Sequence, residues 1–236
     1  MTALGILEPD NRVVLLTIVA LASAACDGSA RAPSTSASAT RSAPKPSTSA
    51  STVVDDFTDP SSGWAIPFGI AEYRSGNLVL GGDIEPSSTF IPAPIGFPGS
   101  RVVKAAASID GPGESAIGVF CQADLDRPFT GYIGSVDTAA RTVKITRVDQ
   151  SRKVSVIAED PIDPSISLDE PLDLVIRCLQ EEEIARLSLT VDDTTVVEVS
   201  DSSPLDGRSG GVYFYHAEPG TLGVFDDVEI APLVAN

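Results

Sequence analysis

Acid–base chemistry in this chain would depend mainly on carboxylates, because His216 is the single histidine among 236 residues. Paired acid and base catalysis needs two carboxyl groups about 5 Å apart. Glu181, Glu182 and Glu183 are instead consecutive, and we expect them to form a solvated turn. His216 ends a strand-like segment with no evident nucleophile, so we expect a surface or capping role for it. The pattern argues against catalysis.

Aromatic and basic side chains on outward strand rows are the candidates for binding a ligand. Tyr213 and Tyr215 share one face of a short strand, and we place Tyr132, Arg177 and Arg186 on outward rows of other strands. Aromatic faces with polar groups beside them are typical of sugar-binding sites. These five residues are therefore the candidate glycan-binding set. The alternative is that the tyrosines pack under loops and the arginines offset the acidic surface.

The elements that carry these residues are strands. Apolar and polar residues alternate with a period of two in residues 141–148, 172–178, 185–191 and 212–215, the pattern of half-buried antiparallel strands. Turn residues such as Asp192-Asp193 separate the runs. About a dozen strands at this spacing predict a β-sandwich.

The N-terminal residues predict an export signal. Residues 13–25 are apolar or small, which suits a signal peptide and is too short for a membrane-spanning helix. The run ends in Ala24-Ala25-Cys26, which resembles the lipobox of bacterial lipoproteins, although Ser23 stands where that motif usually has Leu. The resemblance implies that residues 1–25 are removed and that Cys26 is acylated, which gives a stable membrane anchor. The alternative is a secreted protein cut after Ala25.

Composition divides the rest of the chain into a tether and a domain. Residues 26–52 are rich in Ser, Thr, Ala and Pro and contain no aromatic residue, so they cannot offset their ordering entropy and are expected to be a flexible tether. Residues 53–236 form the expected folded domain and carry a net charge of −18, against −17 for the whole chain. A domain this acidic is unsuited to nucleic acid or to electrostatic docking on anionic lipid.

Two cysteines, Cys121 and Cys178, lie in the domain, both on inward strand rows. An exported protein folds in an oxidising compartment, so we expect a disulfide between them. The alternative is two free thiols that pack as small core residues.

The order of short motifs over residues 53–231 resembles a known family. It opens with Asp56-Phe57-Thr58-Asp59-Pro60 and Gly63-Trp64 and closes with 207–215 and 223–230. This order is similar to that of the concanavalin A-like (laminin-G-like) jelly-roll, and more narrowly to the family 16 glycoside hydrolase-like or 3-keto-disaccharide hydrolase domain. The resemblance implies an all-β, two-sheet antiparallel jelly-roll sandwich with Trp64 in the core. The Glu-x-Asp-x-x-Glu motif of true family 16 enzymes is missing from the sequence.

Four aspartates are the candidate metal ligands. Asp55 and Asp56 belong to the first strand and Asp226 and Asp227 to the last, and these strands are often neighbours in the fold that the chain resembles. Clustered carboxylates suit a hard cation such as Ca²⁺, but no contiguous calcium-binding loop is present. We therefore expect no cofactor, with a structural Ca²⁺ as the alternative.

Together these features predict a lipoprotein on the extracytoplasmic face of a cell membrane. Its domain is expected to be a non-catalytic binding module for carbohydrate or cell-envelope glycan. Two alternatives stay open: a structural or protein-interaction domain without a small ligand, and a glycoside hydrolase-like enzyme.

Overall fold

Alternating residues form strands throughout the part of the chain that the structure describes. The computed structural model describes residues 52–64, 71–82, 86–96, 99–124 and 129–233, all of which lie in the compact unit Ala50–Asn236. These residues contain fourteen strands and no α-helix. It follows that no helix within the described ranges is long and apolar enough to span a membrane.

The strands are numbered in chain order. The first seven are β1 (Val53–Asp55), β2 (Ala71–Arg74), β3 (Asn77–Gly82), β4 (Ser87–Pro92), β5 (Arg101–Asp110), β6 (Ser115–Asp124) and β7 (Thr130–Asp137). The second seven are β8 (Thr142–Val148), β9 (Val154–Pro161), β10 (Leu172–Glu181), β11 (Ile184–Val191), β12 (Thr194–Asp201), β13 (Ser209–His216) and β14 (Thr221–Pro232).

Two antiparallel sheets result from their pairing. The eight-stranded sheet has the order β12-β11-β10-β5-β14-β3-β2, with β1 also paired to β14, and the six-stranded sheet has the order β4-β13-β6-β7-β8-β9. Each sheet packs one face against the other, and the buried apolar residues of both form one core. The predicted all-β two-sheet sandwich is therefore confirmed.

The core consists of the inward rows that the alternation predicts. Leu174 and Ile176 from β10, Leu189 from β11, Ile145 from β8 and Phe214 from β13 are all fully buried. Burial of one such side chain contributes about 1.5–3 kcal/mol, so these rows fix which face of each strand is turned inward.

A disulfide joins the two sheets. Cys121 lies on β6 of the six-stranded sheet and Cys178 on β10 of the eight-stranded sheet, with their Cα atoms 6.5 Å apart. The structure thus contains the disulfide that the sequence predicts, and the alternative of two free thiols is wrong.

Acidic residues form two of the tight hairpin turns. Asp192 and Asp193 connect β11 to β12 with φ angles of 47° and 61°, and Glu182 and Glu183 connect β10 to β11. Two positive φ angles define a type I′ turn, whose twist matches that of the flanking strands. Aspartate tolerates this backbone region better than most residues other than glycine and asparagine. Glu181, Glu182 and Glu183 therefore lie at a solvated turn, as expected.

Candidate functional site

The outer surface of the six-stranded sheet brings aromatic and charged side chains together. Val212 and Phe214 point into the core, so Tyr213 and Tyr215 of β13 point outward. Strand register extends this surface in two adjacent rows, which we call the tyrosine face. One row is Phe90, Tyr213, Gly118, Ser135 and Lys144, and the other is Ser88, Tyr215, Ala116, Asp137 and Thr142.

Aromatic rings pack beside one end of the tyrosine face. Phe90 lies 5.0 Å from Tyr213, 4.1 Å from Phe129 and 5.9 Å from Phe120, measured between ring centroids. Phe120 and Phe129 are buried in a small second cluster with Ile133. This cluster supports the Tyr213 ring from one side and restricts its orientation.

An ion pair occupies the polar end of the tyrosine face. Lys144 Nζ donates to Asp137 Oδ2 at 2.7 Å, and the Ala140 N–H donates to Asp137 Oδ1 at 3.0 Å. Burial acts to raise the pKa of Asp137, but these hydrogen bonds and the Lys144 charge outweigh it and hold that pKa below its ordinary value of 3.8. Asp137 is therefore an ionised acceptor at neutral pH. Its carboxylate has about four lone-pair sites and three donors within the protein, the N–H groups of Ala139 and Ala140 and Lys144, so it can accept a further hydrogen bond from a ligand.

The Tyr213 hydroxyl lies close to the polar groups of the neighbouring row. Burial is the main reason that the pKa of Tyr213 is raised above 10.0. A hydrogen bond with Ser88 works in the opposite direction, and the nearby Tyr215 and Asp137 raise the pKa further. Tyr213 is consequently neutral at physiological pH and can both donate and accept a hydrogen bond.

Gly118 keeps the centre of the tyrosine face free of a side chain. It lies between Tyr213 and Ser135 in the register. A Cβ atom at this position would stand 2.2 Å from the Gly134 carbonyl oxygen and 2.9 Å from the Ser135 Cα atom. The close approach of β6 and β7 therefore requires glycine, and the surface beside the Tyr213 ring stays open.

This arrangement suits a ligand that has both an apolar face and hydroxyl groups. Half-buried aromatic rings can contact C–H groups, and a carboxylate paired with an ammonium can accept from and donate to hydroxyls. Tyr213 and Tyr215 supply the rings, and Asp137 and Lys144 supply the charged partners.

Tyr132 does not belong to this surface. Its side chain is 0% exposed and packs in the main core. The Tyr132 hydroxyl donates to Asp201 Oδ2 at 2.6 Å and accepts from the Leu205 N–H at 3.2 Å. The outward placement predicted for Tyr132 is therefore wrong, because Tyr132 pairs with Cys121, which points inward.

Arg177 and Arg186 lie on the other side of the sandwich. Both point outward, as predicted, but from β10 and β11 of the eight-stranded sheet. Arg186 Nε donates to Glu181 Oε2 at 2.8 Å, and Arg177 lies 3.4 Å from the Thr190 hydroxyl. The structure thus brings Tyr213 and Tyr215 together and separates both arginines from them by the full thickness of the sandwich.

Three of the four candidate calcium ligands accept hydrogen bonds from other partners. Asp55 accepts from Trp64 Nε1 at 2.7 Å and from the Phe57 N–H at 2.8 Å, while Asp56 accepts from Thr58. Asp226 accepts from the N–H of Asp227. Although β1 and β14 are neighbours, the described part of the chain contains no group of three acidic, histidine or cysteine side chains arranged to hold a metal ion.

The Asp55 contact also places the one tryptophan. Trp64 is buried against Phe57, with ring centroids 5.4 Å apart, so the predicted core position of Trp64 is correct.

His216 is also buried rather than on the surface. Its Nδ1 lies 3.0 Å from the Glu218 carbonyl oxygen, and its ring stacks on Phe214. The expected surface role of His216 is therefore wrong, although its ring does bond a carbonyl at the strand end. Cys26, the predicted lipidation residue, lies outside the described residues.

The sequence reasoning missed Asp137, Ser135, Gly118 and Phe90. Alternation could have placed Asp137 and Ser135 on the outward row of β7, because Val136 is the apolar residue between them. It could not have shown that β13, β6, β7 and β8 are adjacent, because that order depends on long-range pairing.

Comparisons with known proteins agree with this architecture. No protein-family model matches the chain, and none of the curated proteins matches it significantly in sequence. Among solved structures, the carbohydrate-binding module CBM66 from Bacillus subtilis is 22% identical, with a TM-score of 0.57 over 72% of this chain and 96% of that one.

Two further solved structures show the same fold. The carbohydrate recognition domain of Emp47p is 13% identical, with a TM-score of 0.58 over 78% of this chain and 95% of that one. A β-1,3-1,4-glucanase (lichenase) derived from a mouse hindgut metagenome is 13% identical, with a TM-score of 0.57 over 77% of this chain and 99% of that one. The chain therefore has the jelly-roll sandwich fold, while the narrower hydrolase-like branch stays a prediction.

Proposed function

We propose that the domain is a non-catalytic carbohydrate-binding module whose ligand lies on the tyrosine face. The observation that carries this proposal is the placement of Tyr213 and Tyr215 in rows that also hold the Asp137–Lys144 ion pair. Two of the structurally similar proteins are themselves described as a carbohydrate-binding module and a carbohydrate recognition domain, which supports the same class of ligand.

In this proposal a sugar ring rests on the tyrosines beside Gly118. Its C–H face contacts the Tyr213 and Tyr215 rings, and its hydroxyls donate to Asp137 and accept from Lys144. Both charged side chains are already held in place, at 25% and 22% exposure, so little side-chain entropy is lost on binding.

The state of Asp137 favours binding over hydrolysis. Burial acts to raise the pKa of Asp137, but hydrogen bonds and the charge of Lys144 outweigh it and hold that pKa below its ordinary value. A glycosidase needs a carboxyl group whose raised pKa lets it act as the general acid. Asp137 is therefore suited to accept hydrogen bonds from a ligand rather than to donate a proton to it.

The test is a binding screen of the chain against a panel of glycans and isolated cell-wall material. We expect saturable binding that Tyr213→Ala/Tyr215→Ala weakens by about tenfold or more, since each ring contact contributes roughly 0.5–1.5 kcal/mol or more. Arg177→Ala/Arg186→Ala is the matched control on the opposite surface and should leave affinity unchanged. No binding to any glycan or cell-wall fraction, or equal loss in both double variants, would contradict the proposal.

We also propose that Cys26 anchors the protein to the extracytoplasmic face of a membrane. The support is the apolar run 13–25 that ends in Ala24-Ala25-Cys26, followed by the tether-like residues 27–52. Cells that express the chain should incorporate labelled fatty acid into it and retain it in the membrane fraction. Cys26→Ala should abolish both, whereas Ser29→Ala should change neither. A Cys26→Ala variant that stays membrane-associated would contradict anchoring through this residue.

A further inference from the structure

Strand β9 forms an edge of the six-stranded sheet and has an unusual surface. No strand within the described ranges pairs with its free side. Val154 and Val156 are 62% and 51% exposed there. Isolated exposed apolar residues are ordinary, but two on one edge strand form a surface that natural proteins usually protect.

The edges formed by β2, β4 and β12 are less suited to association. β2 has only four residues, with exposed Glu72 and Arg74. β4 has prolines at both ends, Pro86 before it and Pro92 as its last residue, whereas β9 has one only as its last residue, Pro161. Short length, charge and proline are the usual means by which an edge is kept from pairing. β12 carries none of the large apolar side chains that are exposed in the described part of the chain.

Charge along the β9 segment is self-complementary. Arg152 and Lys153 precede the valines and Glu159 and Asp160 follow them, and all four are exposed. Among the described residues, none of the four has an ion-pair partner. A segment that is basic at one end, apolar in the middle and acidic at the other complements an antiparallel copy of itself.

We propose that two copies of this chain associate reversibly through β9, antiparallel about a twofold axis at Val156. In this register Lys153 of one copy faces Glu159 of the other, Arg152 faces Asp160, and the two Val156 side chains meet. A twofold axis makes each contact occur twice. The register irregularity in β9 between Val156 and Ala158 interrupts a continuous ladder, so side chains rather than backbone hydrogen bonds carry the contact.

Sedimentation velocity over a range of protein concentrations tests the proposal. The full chain is used in a fixed concentration of mild detergent, so that association through its N-terminal residues is the same in every variant. We expect a monomer–dimer equilibrium that weakens as salt is added, because exposed charge pairs are screened. Lys153→Glu and Glu159→Lys should each weaken the dimer by about tenfold, since each places like charges opposite one another twice.

The double variant Lys153→Glu/Glu159→Lys separates this contact from a general effect of charge. It restores opposite charges across the axis and should recover most of the affinity of the original chain. Val156→Cys should form a disulfide-linked dimer under mild oxidation, and Ile184→Cys, exposed at the start of β11 in the other sheet, should not. A monomer at every concentration, no recovery in the double variant, or equal cross-linking at both cysteines would overturn the proposal.

Discussion

The outer surfaces of the two sheets differ in what their side chains do. On the six-stranded sheet, Tyr213 packs on Phe90, and Asp137 and Lys144 are held in a mostly buried pair. On the eight-stranded sheet, the Arg186–Glu181 pair is largely in solvent, with 62% and 47% of the two side chains exposed. The first surface holds rings and charges in fixed positions, whereas the second carries charged groups that water already solvates.

This difference shows why outward position alone does not define a binding site. Both surfaces arise from the same period-two alternation, and both carry polar side chains. On the tyrosine face the charged pair between neighbouring strands is mostly buried, so that a ligand would meet groups already ordered. An exposed pair such as Arg186–Glu181 would first have to lose side-chain entropy and water.

Removal of the disulfide should have the largest effect, because it is a covalent cross-link between the two sheets. Cys121→Ala/Cys178→Ala opens a loop with a sequence separation of 57 residues, which should lower the free energy of unfolding by about 4 kcal/mol on the chain-entropy model. Urea unfolding of the variant and of the original chain, with and without reductant, measures the difference. If reduction does not destabilise the original chain, the link does not hold the sheets together.

The sequence predicted the strands because each has one buried face. Leu172, Leu174, Ile176 and Cys178 alternate with polar residues, and all four are buried on β10. The pattern of each strand thus predicts which of its residues point inward. Because Cys121 and Cys178 both lie on inward rows, the pattern also made the disulfide between them an expected contact.

The sequence could not predict which strands share a surface. Tyr213 and Arg177 both lie on outward rows, yet the pairing of β13 with β6 and of β10 with β5 places them on opposite sides. Such pairings join residues distant in sequence, and no local pattern encodes them. The outward placement predicted for Tyr132 was wrong for a related reason. A tyrosine can be fully buried here because its hydroxyl forms hydrogen bonds with Asp201 and Leu205, and both residues come from a distant segment of the chain.

Tyr132→Phe should have the next largest effect and distinguishes the interior from the tyrosine face. It removes the acceptor of the Leu205 N–H while Arg147 still bonds Asp201. Loss of a partner by a buried donor costs about 1–3 kcal/mol, so urea unfolding should show a decrease of that size. Glycan affinity should not change. Weaker binding with unchanged stability would instead place Tyr132 at the ligand.

Titration of Asp137 tests whether the charged pair on the tyrosine face is ordered in solution. Because its folded pKa is depressed, Asp137 contributes stability that is fully present above its ordinary value of 3.8 and is lost as pH falls through the folded pKa. Carbon-detected NMR should give a midpoint below 3.8, and Lys144→Gln should raise it. A midpoint unchanged by Lys144→Gln would mean that the Asp137–Lys144 pair is exposed to solvent in solution, as Arg177 and Arg186 are on the eight-stranded sheet.

Arg177→Ala/Arg186→Ala should have the smallest effect. The Arg186–Glu181 pair is mostly in solvent, and such pairs contribute about 0–1 kcal/mol. The Arg177 contact with Thr190 is long, at 3.4 Å, and should add little. Thermal unfolding should therefore shift by only a few degrees. A large loss of stability would show that the arginines cover apolar surface with their stems, and the eight-stranded sheet would then have an ordered outer surface like that of its partner.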